Sequence, residues 1–186
     1  FHAENAVEKI HDFFGCLPMT HRPFQVAMGG GEPTLHPEFI QILEEFDKLN
    51  ITPNYTTNGV NVSEEILDAT KQFCGGVAIS AHKHLKEMWL PTMRRFLDKG
   101  IFMSLHHIIY DEQSVDDFLK EMRYWGDEVK YHVLLPLIPQ GRAKNKLNCS
   151  DYLFKKLKKM KMDKLQKVAF GALLYEELKK HKLPVF

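Results

Sequence analysis

The sequence predicts an α/β fold built from repeated parallel strand–helix units. Two observations carry that expectation. Short apolar runs alternate with amphipathic segments at a spacing of about 25 to 30 residues, which is the pattern of βα units rather than of hairpins. Glycine-rich or polar turns follow the apolar runs, where strands of such sheets hand over to helices. Sheets of this kind either close into a barrel or stay open with helices on both faces.

Ala3 to Phe14 reads as a helix, with Ala6, Val7, Ile10, Phe13 and Phe14 on one face. Strands are expected at Phe24–Met28, Ile51–Thr56, Gly76–Ser80, Ile101–Ile109 and Val129–Leu137. Between them, Phe39, Ile42, Leu43, Phe46 and Leu49 form one apolar helical stripe. Ile66, Leu67, Thr70 and Phe73 form a second, with Ser63 as its N-cap. A third runs from Leu85 to Leu97, interrupted by Pro91 and closed by Gly100. A fourth holds Val115, Phe118, Leu119, Met122 and Trp125, capped by Ser114 and ending near Gly126. The first helix has no strand before it, so the pattern places one upstream of Phe1.

After residue 143 the composition shifts. Nine lysines fall between Lys144 and Lys167, yet Leu153, Leu157, Met160, Leu165 and Val168 keep an apolar stripe. The segment reads as a basic amphipathic helix, and Phe170–Lys182 as a further helix. The chain thus divides into a core, 1–143, and a helical C-terminal extension, 144–186. The extension is read as a solvated cover, because arginine and aromatic interleaving for nucleic-acid stacking is absent.

The bulk numbers exclude several classes. The 186 residues carry 44% hydrophobic and 26% charged side chains, ordinary for one globular domain. A net charge of +1 gives no general attraction to nucleic acid or to a membrane surface. No apolar run approaches the roughly 20 residues of a membrane span. Three well-separated cysteines, Cys16, Cys74 and Cys149, argue against a disulfide framework and for reduced thiols in a cytoplasmic setting.

The polar residues gather at strand ends, where βα folds bind ligands. Gly29-Gly30-Gly31-Glu32-Pro33 follows the first strand, Thr56-Thr57-Asn58-Gly59 the second, Ser80-Ala81-His82 the third. His106-His107 lies late in the fourth, and Pro136–Arg142 follows the fifth. Glycines let backbone groups approach a ligand with no Cβ in the way, and Glu32 adds a carboxylate suited to an amine.

Gly30-Gly31-Glu32-Pro33-Thr34-Leu35-His36-Pro37 resembles the GGEP motif of the radical S-adenosylmethionine enzymes. Thr56–Gly59 resembles their TNG motif, Val77–Ser80 the strand ending in a ribose-contacting serine, and Gly141-Arg142-Ala143 the closing GRA. The resemblance spans about Ala3 to Ala143. It implies a partial (βα)6 TIM-like barrel with S-adenosylmethionine across its open end. Gly30, Gly31 and Glu32 would hold the methionine amino group by backbone and carboxylate, with Pro33 also at the cofactor. Thr57 and Ser80 would reach the carboxylate and ribose hydroxyls, with Asn58 also at the cofactor; His106 would add a polar contact, and the Ile138–Arg142 region, with Gly141 and Arg142, would border the adenine. The family's CxxxCxxC motif, which holds a [4Fe-4S] cluster, is missing. The resemblance therefore puts the first strand and the cluster loop upstream of Phe1, with no metal ligand in this chain. It implies reductive cleavage to a 5′-deoxyadenosyl radical that takes a hydrogen atom from a substrate, with an electron donor such as a flavodoxin or ferredoxin. The substrate (peptide, nucleotide or small metabolite) and the catalytic residues are not specified by these motifs. Two alternatives stand beside it: a barrel metallohydrolase using His82, His84, His106 and His107, and a cluster-less scaffold that binds a partner through the basic extension.

Overall fold

The computed structural model describes residues 4–137 and 149–182. They fall in two compact units, Phe1–Met103 and Ser104–Phe186. The expected boundary at residues 143 and 144 lies outside the described residues.

In the first unit the order is α1 (Ala6–Gly15), β1 (Gln25–Met28), α2 (Phe39–Lys48), β2 (Thr52–Thr57), α3 (Glu64–Phe73), β3 (Gly76–Ser80) and α4 (Lys86–Asp98). β1 pairs with β2, and β2 with β3, all parallel. The register sets Met28 beside Tyr55 and Thr57 beside Ile79. The carboxyl ends of the three strands therefore share one edge, and the loops that follow them lie along it. The stripes read from the sequence do the packing. Ile42, Phe46, Leu49 and Ile51 are buried with Ala6, and Val7, Ile10, Phe14, Val26 and Met28 close over them. Strand alternation sends Pro53, Tyr55 and Thr57 to the buried face of β2. There Tyr55 bonds Thr70 of α3 at 2.7 Å and meets the Phe39 ring edge-on.

Three devices fix the connections. Arg22 donates to the carbonyls of Gly15, Leu17 and Leu49, and so ties the loop before β1 to two helix ends. Glu38 accepts the Ala6 N–H at 3.0 Å, which anchors the start of α1. Ser63 caps α3 as expected, accepting the Ile66 N–H. Pro91 sits inside α4 without ending it; Trp89, Met93 and Phe96 bury the helix face around it, offsetting the lost N–H.

The second unit holds β4 (Met103–Ile109), α5 (Glu112–Trp125), β5 (Tyr131–Pro136), α6 (Ser150–Leu157), α7 (Met162–Leu165), β6 (Val168–Phe170) and α8 (Tyr175–Lys180). β4 pairs with β5 and β5 with β6, again parallel. Three expectations need correction here. The cap of α5 is Asp111, not Ser114. Asp111 accepts the Ser114 N–H at 2.7 Å while the Ser114 hydroxyl accepts the Asp111 N–H, a reciprocal capping box. The basic stretch is two helices with a break at Lys158–Lys161 rather than one. And Val168–Phe170 is a strand, not a helix. Its apolar residues fit a helical stripe and a strand equally well, and pairing to His132, Val133 and Leu134 decides between them. The core of this unit is Phe118, Met122, Leu134, Leu153, Phe154, Leu157 and their neighbours.

Candidate functional site

The loop after β1 separates two jobs between adjacent residues. Gly29, Gly30 and Gly31 are exposed, and a Cβ at any of them would meet nothing within 4 Å. Gly30 adopts φ +124°, a backbone state that disfavours any side chain. Glu32, next in line, is half-buried and held hard. Its Oε1 accepts from the Thr57 hydroxyl at 2.6 Å, the Thr34 hydroxyl at 2.8 Å and the Thr34 N–H at 3.3 Å. Its Oε2 accepts the Asn58 N–H at 2.7 Å. Pro33 opens the short 3-10 turn that aims Thr34 back at this carboxylate.

Glu32 is therefore a latch between the loops after β1 and β2. A carboxylate has about four lone-pair sites, and Oε2 has one donor, so one lone pair there is still available to an ammonium group. Thr57 is 1% exposed, and its hydroxyl both donates to Glu32 and accepts the Gly59 N–H at 3.0 Å. It holds the latch. Asn58 uses its side-chain oxygen to accept the Val60 N–H at 2.9 Å, so it too shapes the turn. Gly59 is required by packing: at φ +73° a Cβ would lie 2.8 Å from the Trp89 Cβ. The bonds of Thr34 to Glu32 and the approach of Trp89 to Gly59 were not read from the sequence; the Glu-Pro-Thr order, a cap followed by proline, was the readable signal for Thr34.

Ser80 ends β3 on the same edge of the first unit, half-buried, and its hydroxyl bonds none of the described residues. The structure thus brings Gly30, Gly31, Glu32, Pro33, Thr57, Asn58 and Ser80 to one sheet edge. His106 lies in the second unit, on β4, half-buried, its pKa lowered by burial. Gly141 and Arg142 lie outside the described residues, as does the Ile138–Arg142 region assigned to the adenine.

The histidines do not gather as a metal centre. Successive strand residues point to opposite faces, so His106 and His107 diverge on β4. His107 instead stacks on His132 with its Nε2 3.0 Å from the His132 Nδ1, both against Phe118. Burial, then the neighbouring imidazole, holds His107 down to about 3, and burial holds His132 down to about 4. His82 and His84 belong to the first unit, rings 5.6 Å apart, with His84 exposed. Among the described residues, no group of three or more His, Cys, Asp or Glu is placed to hold a metal ion.

The cysteines fit a cluster no better. Cys16 is exposed and bonds the Phe13 carbonyl; burial pushes the Cys74 thiol up to about 12 and the Cys149 thiol up to about 11. A cluster needs converging thiolates, and two of these thiols are held protonated.

No family model and no curated protein matches the sequence. Solved structures do. Streptococcus suis SuiB bound to its precursor peptide SuiA aligns over 91% of this chain and 44% of its own, with a TM-score of 0.72 and 15% identity. anSMEcpe with bound AdoMet aligns over 96% of this chain and 58% of its own, with a TM-score of 0.70 and 17% identity. TYW1 with a lysine-pyruvate adduct aligns over 82% and 57%, at 0.51 and 20%. These three are radical S-adenosylmethionine enzymes. The chain has their fold. It is an α/β partial TIM-like barrel of parallel strands, as the resemblance implied. The chain spans about half the length of SuiB and anSMEcpe. Among the described residues, no helix is long and apolar enough to cross a membrane.

Proposed function

We propose that this chain is the S-adenosylmethionine-binding core of a radical S-adenosylmethionine enzyme. One observation carries the reading: three glycines border open space immediately before a carboxylate pinned by four hydrogen bonds, on the carboxyl edge of a parallel sheet. Gly30 and Gly31 would offer bare backbone carbonyls to the methionine ammonium, and Glu32 the remaining lone pair of Oε2. The Ser80 hydroxyl is the group for ribose. Thr57 and Asn58, assigned to contacts by the resemblance, act by holding Glu32 and the turn in place. When bound, S-adenosylmethionine supplies a sulfonium C–S bond open to one-electron cleavage. The chain's share is to receive the ammonium and fix its position. The cysteines of this chain do not fit a [4Fe-4S] cluster, so the proposal takes the cluster ligands from upstream of Phe1. A peptide is the substrate class we propose, since SuiB is solved with a precursor peptide and anSMEcpe with Kp18Cys peptide.

The test is Gly31→Ala. Gly31 has no positive φ and nothing within 4 Å of its Cβ, so the added methyl enters open space. Folding should be unchanged within about 0.5 kcal/mol, while S-adenosylmethionine affinity measured by calorimetry falls about tenfold. Unchanged affinity would remove the glycine loop from the binding site.

A further inference from the structure

The second unit carries a groove of about 590 Å³ between α5 and the α6–α7 break. This is within the range of built ligand sites, roughly 300–1,000 Å³. Its floor is apolar: Leu119, Met122 and Met160. Its rim is cationic on both sides. Lys156 and Lys164 are already committed, to Asp116 at 3.2 Å and Asp127 at 3.6 Å. Arg123, Lys159 and Lys161 are exposed, and among the described residues none of them makes an ion pair. Among the described residues, no carboxylate lines the groove.

We infer that this groove docks an acidic amphipathic helix of a partner polypeptide. The floor supplies a place for apolar anchors at helical spacing, the recognition mode of a helix lying in a groove. Three unpaired cations on opposing rims ask for several carboxylates spaced along one ligand. Acidic residues three and four apart on a helix provide that, whereas a fatty carboxylate brings a single charge. Nucleic acid is disfavoured because, among the described residues, no aromatic side chain lines the groove for a base to stack on. Methionine at two of three floor positions suits a surface that adapts to its ligand. The site lies wholly in the second unit and does not depend on the S-adenosylmethionine reading; either can fail alone.

The experiment uses the full chain and a fluorescein-labelled helical peptide of about 14 residues, leucines at one face and glutamates on both flanks. Anisotropy should show micromolar binding that weakens with salt. The exposed double variant Lys159→Glu/Lys161→Glu should lose at least tenfold, and a peptide with lysine for glutamate should not bind. 13C-methyl spectra of the unaltered chain should shift Met122 and Met160 on peptide addition, a readout that holds even if a variant fails to fold. Binding no tighter than that of a scrambled peptide overturns the inference. So does an unshifted Met160 methyl, or tighter groove binding by oleate or oligouridylate than by the peptide.

Discussion

Replacing Glu32 tests the latch, because the structure gives the carboxylate two duties that different substitutions separate. Two of its four hydrogen bonds are short, to Thr57 at 2.6 Å and to the Asn58 N–H at 2.7 Å. Hydrogen bonds to a charged group contribute about 1.5–3 kcal/mol each. The site is half-exposed, so water replaces part of what is lost, and Glu32→Ala should destabilise the chain by ~2–4 kcal/mol. Glu32→Gln keeps the shape and the acceptor toward the threonines. Its NH2 group then faces the Asn58 N–H and leaves that donor unpaired, at ~1–3 kcal/mol. Urea unfolding reads the stability. Hydrogen exchange at the Asn58 amide reads the latch locally, and should accelerate in both variants. Affinity for S-adenosylmethionine should fall in both. If Glu32→Ala unfolds at the wild-type midpoint and the Asn58 amide exchanges at its wild-type rate, the latch is refuted, whatever happens to binding.

Three further outcomes follow from the same coordinates. Gly59→Ala combines φ +73° with a 2.8 Å approach to Trp89, and should cost ~2–4 kcal/mol in urea unfolding; a neutral result would contradict the packing described. His107 and His132 are held neutral in the folded chain, near 3 and 4, but take protons near 6.5 when unfolded. The unfolded state then binds more protons below pH 6.5, so stability falls as pH drops from about 7 toward 4, by ~2 kcal/mol per histidine at pH 5. His82 and His106, also lowered by burial, add in the same direction. Unfolding midpoints at pH 7 and pH 5 that coincide would exclude a neutral buried pair. Asp111→Ala, which removes the α5 cap, should cost ~1–2 kcal/mol, and an unchanged melting curve would count against the capping box.

Much of this could be read before the structure, for identifiable reasons. Helix stripes such as Ile42–Phe46 and strands such as Gly76–Ser80 are local in sequence, and hydrophobic period reports them directly. The glycine loop, the Thr-Asn-Gly turn and Ser80 were singled out because βα folds place ligands at strand ends, and parallel pairing in the first unit does align those ends. What escaped was long-range. Val168–Phe170 became a strand only by pairing with β5, which no local pattern reports. The bond from Thr57 to Glu32 joins residues 25 apart, and no local pattern reports it. His106 and His107 looked like neighbours on a metal, yet strand alternation divides them and gives His107 to His132. Ser114 was named as a cap because serine is a good one; three positions earlier, Asp111 is better placed, and the serine completes the box.

The most direct test of the account is a backbone amide NMR titration of the full chain with S-adenosylmethionine, with S-adenosylhomocysteine as the uncharged-sulfur control. Saturable shifts should concentrate at Gly29–Glu32, the Thr57–Val60 turn and Ser80. Shifts confined to other segments, or none at millimolar ligand, would contradict it.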